Sequence, residues 1–503
     1  MVIVCPRVIF SALRGNSGKT FLTVGVGACL RQQGKRLSPF KKGPDYIDAA
    51  WLGMAMGRPC YNLDVFLMER EGVFSSFLAR LPQTDGALIE GNRGLFDSMD
   101  PKGNYSTAEL AKLLQTPVLL VVDCSMTTRT AAAMVLGCQH FDPEVAIKGI
   151  LLNRLGGARH ESVVRSAIEE SCGVPVLGAV PKIKGGVFPG RHMGLVPPQE
   201  HLGASQAIDE ASGIVARYID IEKVWEIASG SPPLYLPDLN REEACPDRGR
   251  EGWPIYTSRQ PRIGFIRDSA FWFYYPDNLE ALEKLGACIV ECNALDDEEL
   301  PPLDALYIGG GFPETHAEAL AANCGFRRSL RDAVERGLPV YAECGGLVYL
   351  GEKLIVEERV FPMLGVFPLN FVLGKRPQGH GYTILEVDRP NPYFPTGEIL
   401  HGHEFHYCRI LDGEEGKFTL VFNVRRGYGI NGRRDGLCYR NVLALYSHLH
   451  TSGAKGWARA LFEQALFYSD SKDREDRSFC EGQFTVAPKF LERERKWKRI
   501  LAH

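Results

Sequence analysis

The stretch RVIFSALRGNSGKT, residues 7–20, decides the fold of the first part of the chain. An apolar run with the length of a buried strand passes into a loop that ends in Gly18, Lys19 and Thr20. A helical pattern then runs from Lys19 to Gln33. When a glycine-rich loop joins a strand to a helix, its backbone N–H groups point at phosphate oxygens, and the helix N-terminus adds partial positive charge. The stretch therefore predicts a phosphate-binding loop within an α/β domain.

The residue types in this loop indicate individual roles. We expect Lys19 to reach the β- and γ-phosphates of a nucleotide and Thr20 to ligate Mg²⁺. The usual pattern has a glycine five residues before Gly18, where this chain has Leu13. The predicted nucleotide contacts in the loop are Gly15, Ser17, Gly18, Lys19 and Thr20.

Acidic residues follow two later apolar runs. Glu90 ends the run ALIE, where the metal-binding carboxylate of a phosphate-loop fold belongs. Asp45 and Asp48 lie in a Gly/Pro loop after the strand-like SPFKK, and Asp97 lies in GLFDSMD. Aspartates in loops also commonly cap helices and turns, and that alternative stays open for these three. A charged residue at the end of a buried run is costly unless it is paired, which favours the metal-binding interpretation of Glu90.

Length and composition restrict the class of protein. A chain of 503 residues is longer than one hydrophobic core usually supports, so we expect more than one domain. The net charge of −3 gives no reason to expect a nucleic acid or a membrane as partner. No apolar run approaches the roughly 20 residues of a membrane span. The 14 cysteines are scattered without a framework pattern, which favours a reducing cytoplasm.

Short apolar runs bounded by turn residues recur along the chain and predict parallel sheets with helices on both faces. ALIEG, PVLLVVDCS, KGILLNRL and PVLGAVP belong to a first series, and PRIGFIRD, CIVECN, DALYIGGG and LPVYAECGG to a second. A stretch rich in Pro, Gly and charge separates the two series. We therefore expect a nucleotide-binding domain over 1–230, a linker over 231–258, a second α/β domain over 259–470, and a charged tail over 471–503.

The second series contains a candidate nucleophile. Cys344 stands between the apolar run LPVYAE and two glycines that open a helical stretch. A nucleophile between strand and helix sits on a sharp turn that exposes its side chain. The helix N-terminus is expected to lower the pKa of the thiol. Upstream, the backbone N–H groups of the GGG run at 309–311 are candidates for an oxyanion hole.

A cysteine nucleophile needs a base, and His448 in LYSHLH is the first candidate. Alternation along the strand places His448 and His450 on one face, so His450 is the second candidate.

Taken together, the motifs resemble the cobyrinic acid a,c-diamide synthase family, over about residues 7–465. The motifs that carry the resemblance are GNSGKT, FKKGPDYID, ALIEGNRGLFD, PVLLVVD, LLNRL, FYYPDNLE, YIGGGFPE, YAECGGLVYL, GHEFHY and SHLH. The resemblance implies a dethiobiotin-synthetase-like, P-loop ATP domain joined to a class I glutamine amidotransferase domain. It implies amidation of the a and c acetate carboxylates of a tetrapyrrole, most directly cobyrinate, through an acyl phosphate and ammonia from glutamine. The implied cofactors are ATP and Mg²⁺, and a homodimer is compatible with the sequence.

The resemblance also implies roles for residues at matching positions. Cys344 is the glutaminase nucleophile and His448 its base. The metal ligands are Thr20, Asp45 and Glu90; Tyr46, Asp48 and Asp97 orient the substrate; and Asn153 contacts the adenine. Class I amidotransferases typically follow the histidine with Pro-Glu, whose glutamate orients the imidazole. Leu449 and His450 stand there in this chain, so the third position of the triad is unassigned.

Three alternatives stay open at this point. The same chemistry would serve sirohaem or nickel-sirohydrochlorin amidation. A regulatory P-loop ATPase with an inactive cysteine domain would turn over ATP without depending on glutamine. A metal-binding protein could use His401, His403, Glu404 and His406.

Overall fold

The computed structural model describes residues 2–183, 187–188, 190–191, 194–235, 260–413 and 418–481. Within these ranges, no helix is both long enough and apolar enough to cross a membrane. Most of the predicted linker and residues 482–503 of the predicted tail lie outside the described residues.

The first domain alternates strands and helices. Its strands are β1 (Val2–Ile3), β2 (Arg7–Ala12), β3 (Leu37–Lys42), β4 (Tyr61–Leu63), β5 (Gly86–Glu90), β6 (Val118–Asp123), β7 (Ile147–Leu155), β8 (Val176–Pro181), β9 (Gly190–Arg191), β10 (Gly194–Leu195) and β11 (Leu234–Tyr235). Its helices are α1 (Lys19–Gln32), α2 (Ile47–Met56), α3 (Val65–Ala79), α4 (Thr107–Leu113), α5 (Arg129–Phe141), α6 (Ala158–Cys172), α7 (Ala204–Tyr218) and α8 (Ile221–Ser229).

Seven of these strands form one parallel sheet in the order β4-β3-β5-β2-β6-β7-β8. Apolar side chains pack on both faces of this sheet, which explains why its strands read as continuous apolar runs. The carboxyl ends of parallel strands meet at one edge of a sheet. The phosphate loop after β2, the 43–46 loop after β3, and Glu90 at the end of β5 therefore lie together.

The second domain contains a larger mixed sheet. Its strands are β12 (Arg262–Ile266), β13 (Phe271–Phe273), β14 (Cys288–Cys292), β15 (Ala305–Ile308), β16 (Gly310–Gly311), β17 (Val340–Glu343), β18 (Lys353–Val356), β19 (Arg359–Pro362), β20 (Leu369–Leu373), β21 (Gly379–Val387), β22 (Ile399–His406), β23 (Cys408–Gly413), β24 (Thr419–Arg426), β25 (Arg434–Tyr439), β26 (Val442–Leu445) and β27 (His448–Leu449). Its helices are α9 (Pro276–Lys284), α10 (Ala317–Ala322), α11 (Cys324–Glu335), α12 (Gly345–Leu350) and α13 (Trp457–Glu481).

Ten strands of this domain pair in the order β14-β12-β15-β17-β26-β25-β24-β21-β22-β27. The first five are parallel, and the others add antiparallel to β26 and to one another. Cys344 follows β17, and His448 follows the neighbouring β26. The sheet therefore brings the two predicted catalytic residues to the same edge.

The two α/β domains that the sequence predicts are present. Within the predicted tail, α13 continues to Glu481, so residues 471–481 are helical. Aromatic residues of the second domain, including Trp272, Phe273 and Tyr275, extend the apolar core of the first.

Polar contacts also join the domains. The Arg80 guanidinium lies 3.2 Å from Asp277 Oδ1 and 2.5 Å from Glu280 Oε2, and Tyr382 donates to Asp64 Oδ2 at 2.5 Å. Because the interface is both apolar and hydrogen-bonded, it positions the edges of the two sheets relative to each other.

Candidate active site

The phosphate loop has the geometry expected for its sequence. It joins β2 to α1, and Gly18 caps the helix with a φ of 91°. A Cβ atom at position 18 would lie 2.2 Å from Nδ2 of Asn153, so both the backbone conformation and the space require glycine. Lys19 is buried, and its ammonium donates to the Arg93 carbonyl at 2.7 Å. Burial, followed by the nearby Lys41 charge, lowers the pKa of Lys19.

Glu90 lies at the centre of a buried charged cluster beside this loop. Its Oε1 accepts hydrogen bonds from Thr20 Oγ1 and Lys41 Nζ, both at 2.8 Å. Lys41 also donates to Asp48 Oδ2 at 2.7 Å. Burial lowers the pKa of Lys41, but the carboxylates of Asp48 and Glu90 outweigh that effect and raise it above the ordinary value. Lys41 is therefore charged, and it neutralises part of the acidic cluster.

The predicted magnesium ligands fit a cation in part. Glu90 Oε2 is buried and accepts no hydrogen bond from the described residues, which leaves a carboxylate oxygen available beside Thr20. Within the described ranges, no group of three or more His, Cys, Asp or Glu side chains could hold a metal alone. Mg²⁺ usually keeps several waters and uses one or two carboxylates together with substrate phosphates. Thr20 and Glu90 therefore suit Mg²⁺ that arrives with a nucleotide.

Whereas Asp48 pairs with Lys41, the other two loop aspartates accept hydrogen bonds from backbone N–H groups. Asp45 Oδ1 accepts from the Asp48 backbone N–H at 2.8 Å, and Asp97 Oδ2 accepts from the Gly94 N–H at 2.7 Å. Both hydrogen bonds stabilise turns, which is the alternative role that the sequence analysis left open for these aspartates. Burial, followed by the Asp48 carboxylate, raises the pKa of Asp45 to about 7. Asp45 and Asp97 also line a cavity between the domains, so a structural contact does not remove them from the site.

Asn153 supports the phosphate loop directly. Its Nδ2 donates to the Ser17 carbonyl at 2.8 Å, and its Oδ1 accepts from the Arg154 N–H at 2.9 Å. The side chain therefore fixes the loop conformation. The adenine contact that the resemblance implies stays a prediction.

Cys344 lies on the expected turn between β17 and α12. Its backbone has a φ of 49° and a ψ of −101°, a strained conformation for a residue with a side chain. The thiol is buried, and Sγ lies 3.9 Å from the Phe405 carbonyl oxygen. The expected lowering of the thiol pKa is wrong for this structure, because burial, followed by Glu314, raises the pKa despite the Gly345 N–H. The six-residue helix α12 does not offset the desolvation, so forming the thiolate requires a base.

The glycine run at 309–311 supplies fewer oxyanion donors than the sequence suggests. The Gly309 N–H donates to Tyr274 Oη at 2.8 Å. Gly311 N remains beside the nucleophile turn, since a Cβ atom at Gly345 would lie 3.1 Å from it. The Gly311 N–H is therefore a candidate donor for an oxyanion.

His448 is buried at the edge of the sheet, with its two ring nitrogens in different environments. Nδ1 lies 3.3 Å from Glu343 Oε2. The Cε1–Nε2 side of the ring packs on Gly310, where an added Cβ would lie 2.4 Å from Cε1 and 3.2 Å from Nε2. Since Glu343 occupies Nδ1, Nε2 is the nitrogen left to accept a proton.

His450 does not share this environment. Its Nε2 lies 3.4 Å from Asp277 Oδ2, and its Nδ1 accepts from the Ser452 N–H at 3.2 Å. The prediction that His450 could also approach the cysteine from the same strand face is not supported, because the chain continues into a turn after Leu449 and directs His450 to the domain interface.

The histidines of GHEFHY do not form a metal site. His401 stacks on Phe66, His403 Nδ1 lies 3.2 Å from Tyr275 Oη, and His406 Nδ1 lies 2.8 Å from the Cys408 carbonyl. Alternation along β22 places His401 and His403 on one face and Glu404 and His406 on the other, so neither face presents three ligands, and the metal-binding alternative has no support.

Tyr46 connects the two halves of the site. Its ring stacks on Phe273 with centroids 4.8 Å apart and meets the His448 ring edge-on at 5.3 Å. It also directly follows Asp45. A cavity of about 490 Å³ opens here, lined from the first domain by residues that include Asp45, Tyr46 and Asp97, and from the second by residues that include His403, Phe405 and His448.

Sequence reasoning missed two residues of this site. Lys41 lies in the buried strand β3, where a lysine is costly unless it is paired, and that cost was a usable signal. Glu343 directly precedes Cys344 in a strand that is otherwise apolar, and it gave the same signal.

Comparisons with known proteins agree with this two-part site. Residues 8–185 match the CobQ/CobB/MinD/ParA nucleotide binding domain, and residues 262–456 match the CobB/CobQ-like glutamine amidotransferase domain. The second match includes both Cys344 and His448, which favours an active amidotransferase over a regulatory ATPase with an inactive cysteine domain.

Similar proteins match along nearly the whole chain. A cobyrinate a,c-diamide synthase of Magnetococcus marinus is 42% identical over 90% of this chain and 96% of its own length. Proteins with the same name from Archaeoglobus fulgidus and Methanosarcina acetivorans are 41% and 38% identical, each over 92% of this chain and over 98% and 95% of their own lengths. The chain belongs to the cobyrinate a,c-diamide synthase family, and it is a glutamine-hydrolysing, amide-forming ligase.

Proposed function

We propose that this enzyme uses ATP and glutamine to amidate the a and c acetate carboxylates of a tetrapyrrole. Cobyrinate is the substrate we propose, as a step of cobalamin biosynthesis, because relatives that match along nearly their whole length carry that substrate in their names. The observation that carries the proposal is the cavity between the domains, which both the Asp45–Tyr46 segment and His448 line.

Glutamine is hydrolysed in the second domain. His448 accepts the Cys344 thiol proton at Nε2, and the sulfur attacks the glutamine amide carbon. The Gly311 N–H stabilises the negative charge that develops on the amide oxygen. His448 then protonates the amide nitrogen, which leaves as ammonia, and water releases glutamate from the acyl-enzyme.

The carboxylate is activated in the first domain. A carboxylate is a poor acyl donor, because its oxygen is a poor leaving group. An acetate oxygen attacks the γ-phosphorus of ATP, ADP leaves, and an acyl phosphate forms. Lys19 and the backbone of residues 15–20 hold the phosphates, and Asn153 keeps that loop in place. Mg²⁺ held by Thr20 and Glu90, with Asp45 nearby, would neutralise charge on the transferring phosphoryl group.

Ammonia joins the two reactions. It attacks the acyl phosphate carbon, and phosphate leaves with the former carboxylate oxygen. Tyr46 contacts the His448 ring and directly follows Asp45, so this segment links residues assigned to the two centres. We propose that ammonia passes along this cavity without first entering bulk water.

The cavity wall also contains cations that can contact a polycarboxylate substrate. Lys42, Arg93 and Arg426 line it, together with the carboxylates of Asp45, Asp97 and Glu404. Guanidinium groups recognise carboxylates through paired hydrogen bonds. We propose that these cations hold acetate and propionate side chains that are not being amidated.

We propose the cytoplasm as the compartment, on the cysteine usage of the sequence.

The division of labour is tested with Cys344→Ser. This variant should lose glutamine-dependent amidation and keep amidation with free ammonia. Cobyrinate, sirohaem and nickel-sirohydrochlorin are offered separately to the wild-type enzyme, and cobyrinate should be the preferred substrate. Failure of ammonia to support the folded variant would contradict separate glutaminase and synthetase centres.

A further inference from the structure

The glutaminase centre contains a buried carboxylate that no sequence motif assigns. Glu343 ends β17 directly before Cys344 and is completely buried. Its Oε2 lies 3.3 Å from His448 Nδ1, on the opposite side of the imidazole from the Nε2 that faces Gly310. The position two residues after the histidine, where class I amidotransferases typically have this carboxylate, holds His450, which contacts Asp277 instead.

Four contacts fix the orientation of the Glu343 carboxylate. Oε1 accepts hydrogen bonds from the Leu449 N–H and the Tyr341 hydroxyl, both at 3.1 Å. Oε2 accepts from the Tyr307 hydroxyl at 3.1 Å, in addition to its contact with His448. A buried carboxylate is costly unless several donors satisfy it, and here each oxygen has two.

We propose that Glu343 is the positioning residue for His448 and takes the third place of the triad, from the residue before the nucleophile. This inference rests on the proposed roles of Cys344 and His448. The carboxylate accepts a hydrogen bond from the Nδ1–H group. This contact holds the tautomer in which Nε2 is free to take the thiol proton. It also stabilises the imidazolium that forms when Cys344 is deprotonated, as the aspartate does in serine protease triads.

Glu343 binds both the imidazole and the backbone that carries it. Leu449 follows His448, so the Leu449 N–H contact ties β27 to β17 next to the nucleophile. One side chain thus holds both the imidazole and the backbone beside it, in contrast to a triad whose carboxylate lies downstream of the histidine.

The test is Glu343→Gln, with Asp435→Asn as a matched control. Asp435 is equally buried and accepts a hydrogen bond from the Tyr446 N–H on the strand segment before His448, but it does not contact the imidazole. Glu343→Gln keeps the shape of the side chain and removes the charge. Glutaminase kcat should fall by about 100-fold, with a smaller change in KM.

The pH profile separates positioning from a purely structural role. The titratable groups in contact with His448 are Glu343, His403 and Tyr46. Loss of the carboxylate should move the acidic limb of glutaminase kcat/KM to lower pH, because the imidazolium loses its counter-charge. Asp435→Asn should leave that limb in place. An unchanged limb and an unchanged kcat in Glu343→Gln would overturn the inference.

Two further measurements keep the result interpretable. Amidation with free ammonia should persist in Glu343→Gln, which shows that the domains are folded. If ammonia-dependent amidation is lost in Glu343→Gln, the test uses Glu343→Asp, which keeps the charge on a shorter side chain. The glutaminase rate of Glu343→Asp should lie below that of the wild type, and the acidic limb of its pH profile should be retained. A wild-type enzyme without Cys344-dependent glutaminase activity would contradict the proposed function, whereas an active wild type with a fully active Glu343→Gln would contradict only the role of Glu343.

Discussion

Replacing Gly310 by alanine should disable glutamine hydrolysis and leave the synthetase centre intact. The added Cβ would lie 2.4 Å from Cε1 of His448 and 3.1 Å from the Phe273 ring. Because carbon atoms pack at about 3.5–4.0 Å, the imidazole must move by about 1 Å. A displacement of about 1 Å in a catalytic group costs roughly 100-fold in rate, or about 2.7 kcal/mol of transition-state stabilisation.

The assay is glutamate release from glutamine, with ammonia-dependent amidation measured on the same preparation. Gly213→Ala is the matched control, because Gly213 lies within α7 and an added Cβ there meets no heavy atom within 4 Å. We expect Gly310→Ala to lose glutaminase activity and both variants to keep ammonia-dependent activity within about twofold of wild type. If Gly310→Ala hydrolyses glutamine as fast as Gly213→Ala, our account of the close contact between Gly310 and the base is refuted.

Three other predictions concern the charged groups of the two centres. Lys19→Ala removes charge beside the phosphates and Glu90→Gln removes the free carboxylate oxygen, so both should lose amidation with either nitrogen source; normal ammonia-dependent turnover in either would exclude these roles. His448→Ala should lower glutamine hydrolysis by about 100-fold or more. His450→Ala loses the contacts with Asp277 and the Ser452 N–H and should lower it less; the opposite ranking would identify His450 as the base. Burial, followed by the Asp48 carboxylate, raises the pKa of Asp45 to about 7, and a bound cation favours the ionised form. The Mg²⁺ concentration that half-saturates ammonia-dependent amidation should therefore fall as the pH rises from about 6 to about 8. An equally steep pH dependence in Asp45→Asn would show that Asp45 is not its origin.

The sequence predicted those features that depend on local pattern. The alternation of apolar runs and helices predicted two α/β domains, and strand–loop–helix chemistry placed Lys19, Thr20 and Cys344 correctly on their elements. The position of Glu90 at the end of an apolar run was also visible in the sequence. A charged residue that ends a buried strand needs a partner, and this cost marked Glu90 as a candidate.

Features that depend on contacts between distant segments were not predictable in this way. Lys41 meets Glu90 only because β3 and β5 are neighbours in the sheet, and Glu343 meets His448 only because β17 lies beside β26. The raised pKa of the Cys344 thiol depends on burial by the second domain's own core, which a local helix argument does not include. The helical extension of α13 into the predicted tail was missed because charged residues continue a helix as readily as they form a solvated tail.

The proposal that one cavity couples two chemistries is tested most directly by following nitrogen from glutamine to product. The wild-type enzyme is incubated with ATP, Mg²⁺, cobyrinate and glutamine that carries heavy nitrogen in its side-chain amide, in the presence of excess unlabelled ammonium at a pH where little of it is free ammonia. We predict that the product carries heavy nitrogen at both amidated acetates, and that Cys344→Ser incorporates only unlabelled nitrogen. Glutamate release and ATP hydrolysis without labelled amide in cobyrinate would contradict the coupling of the two centres.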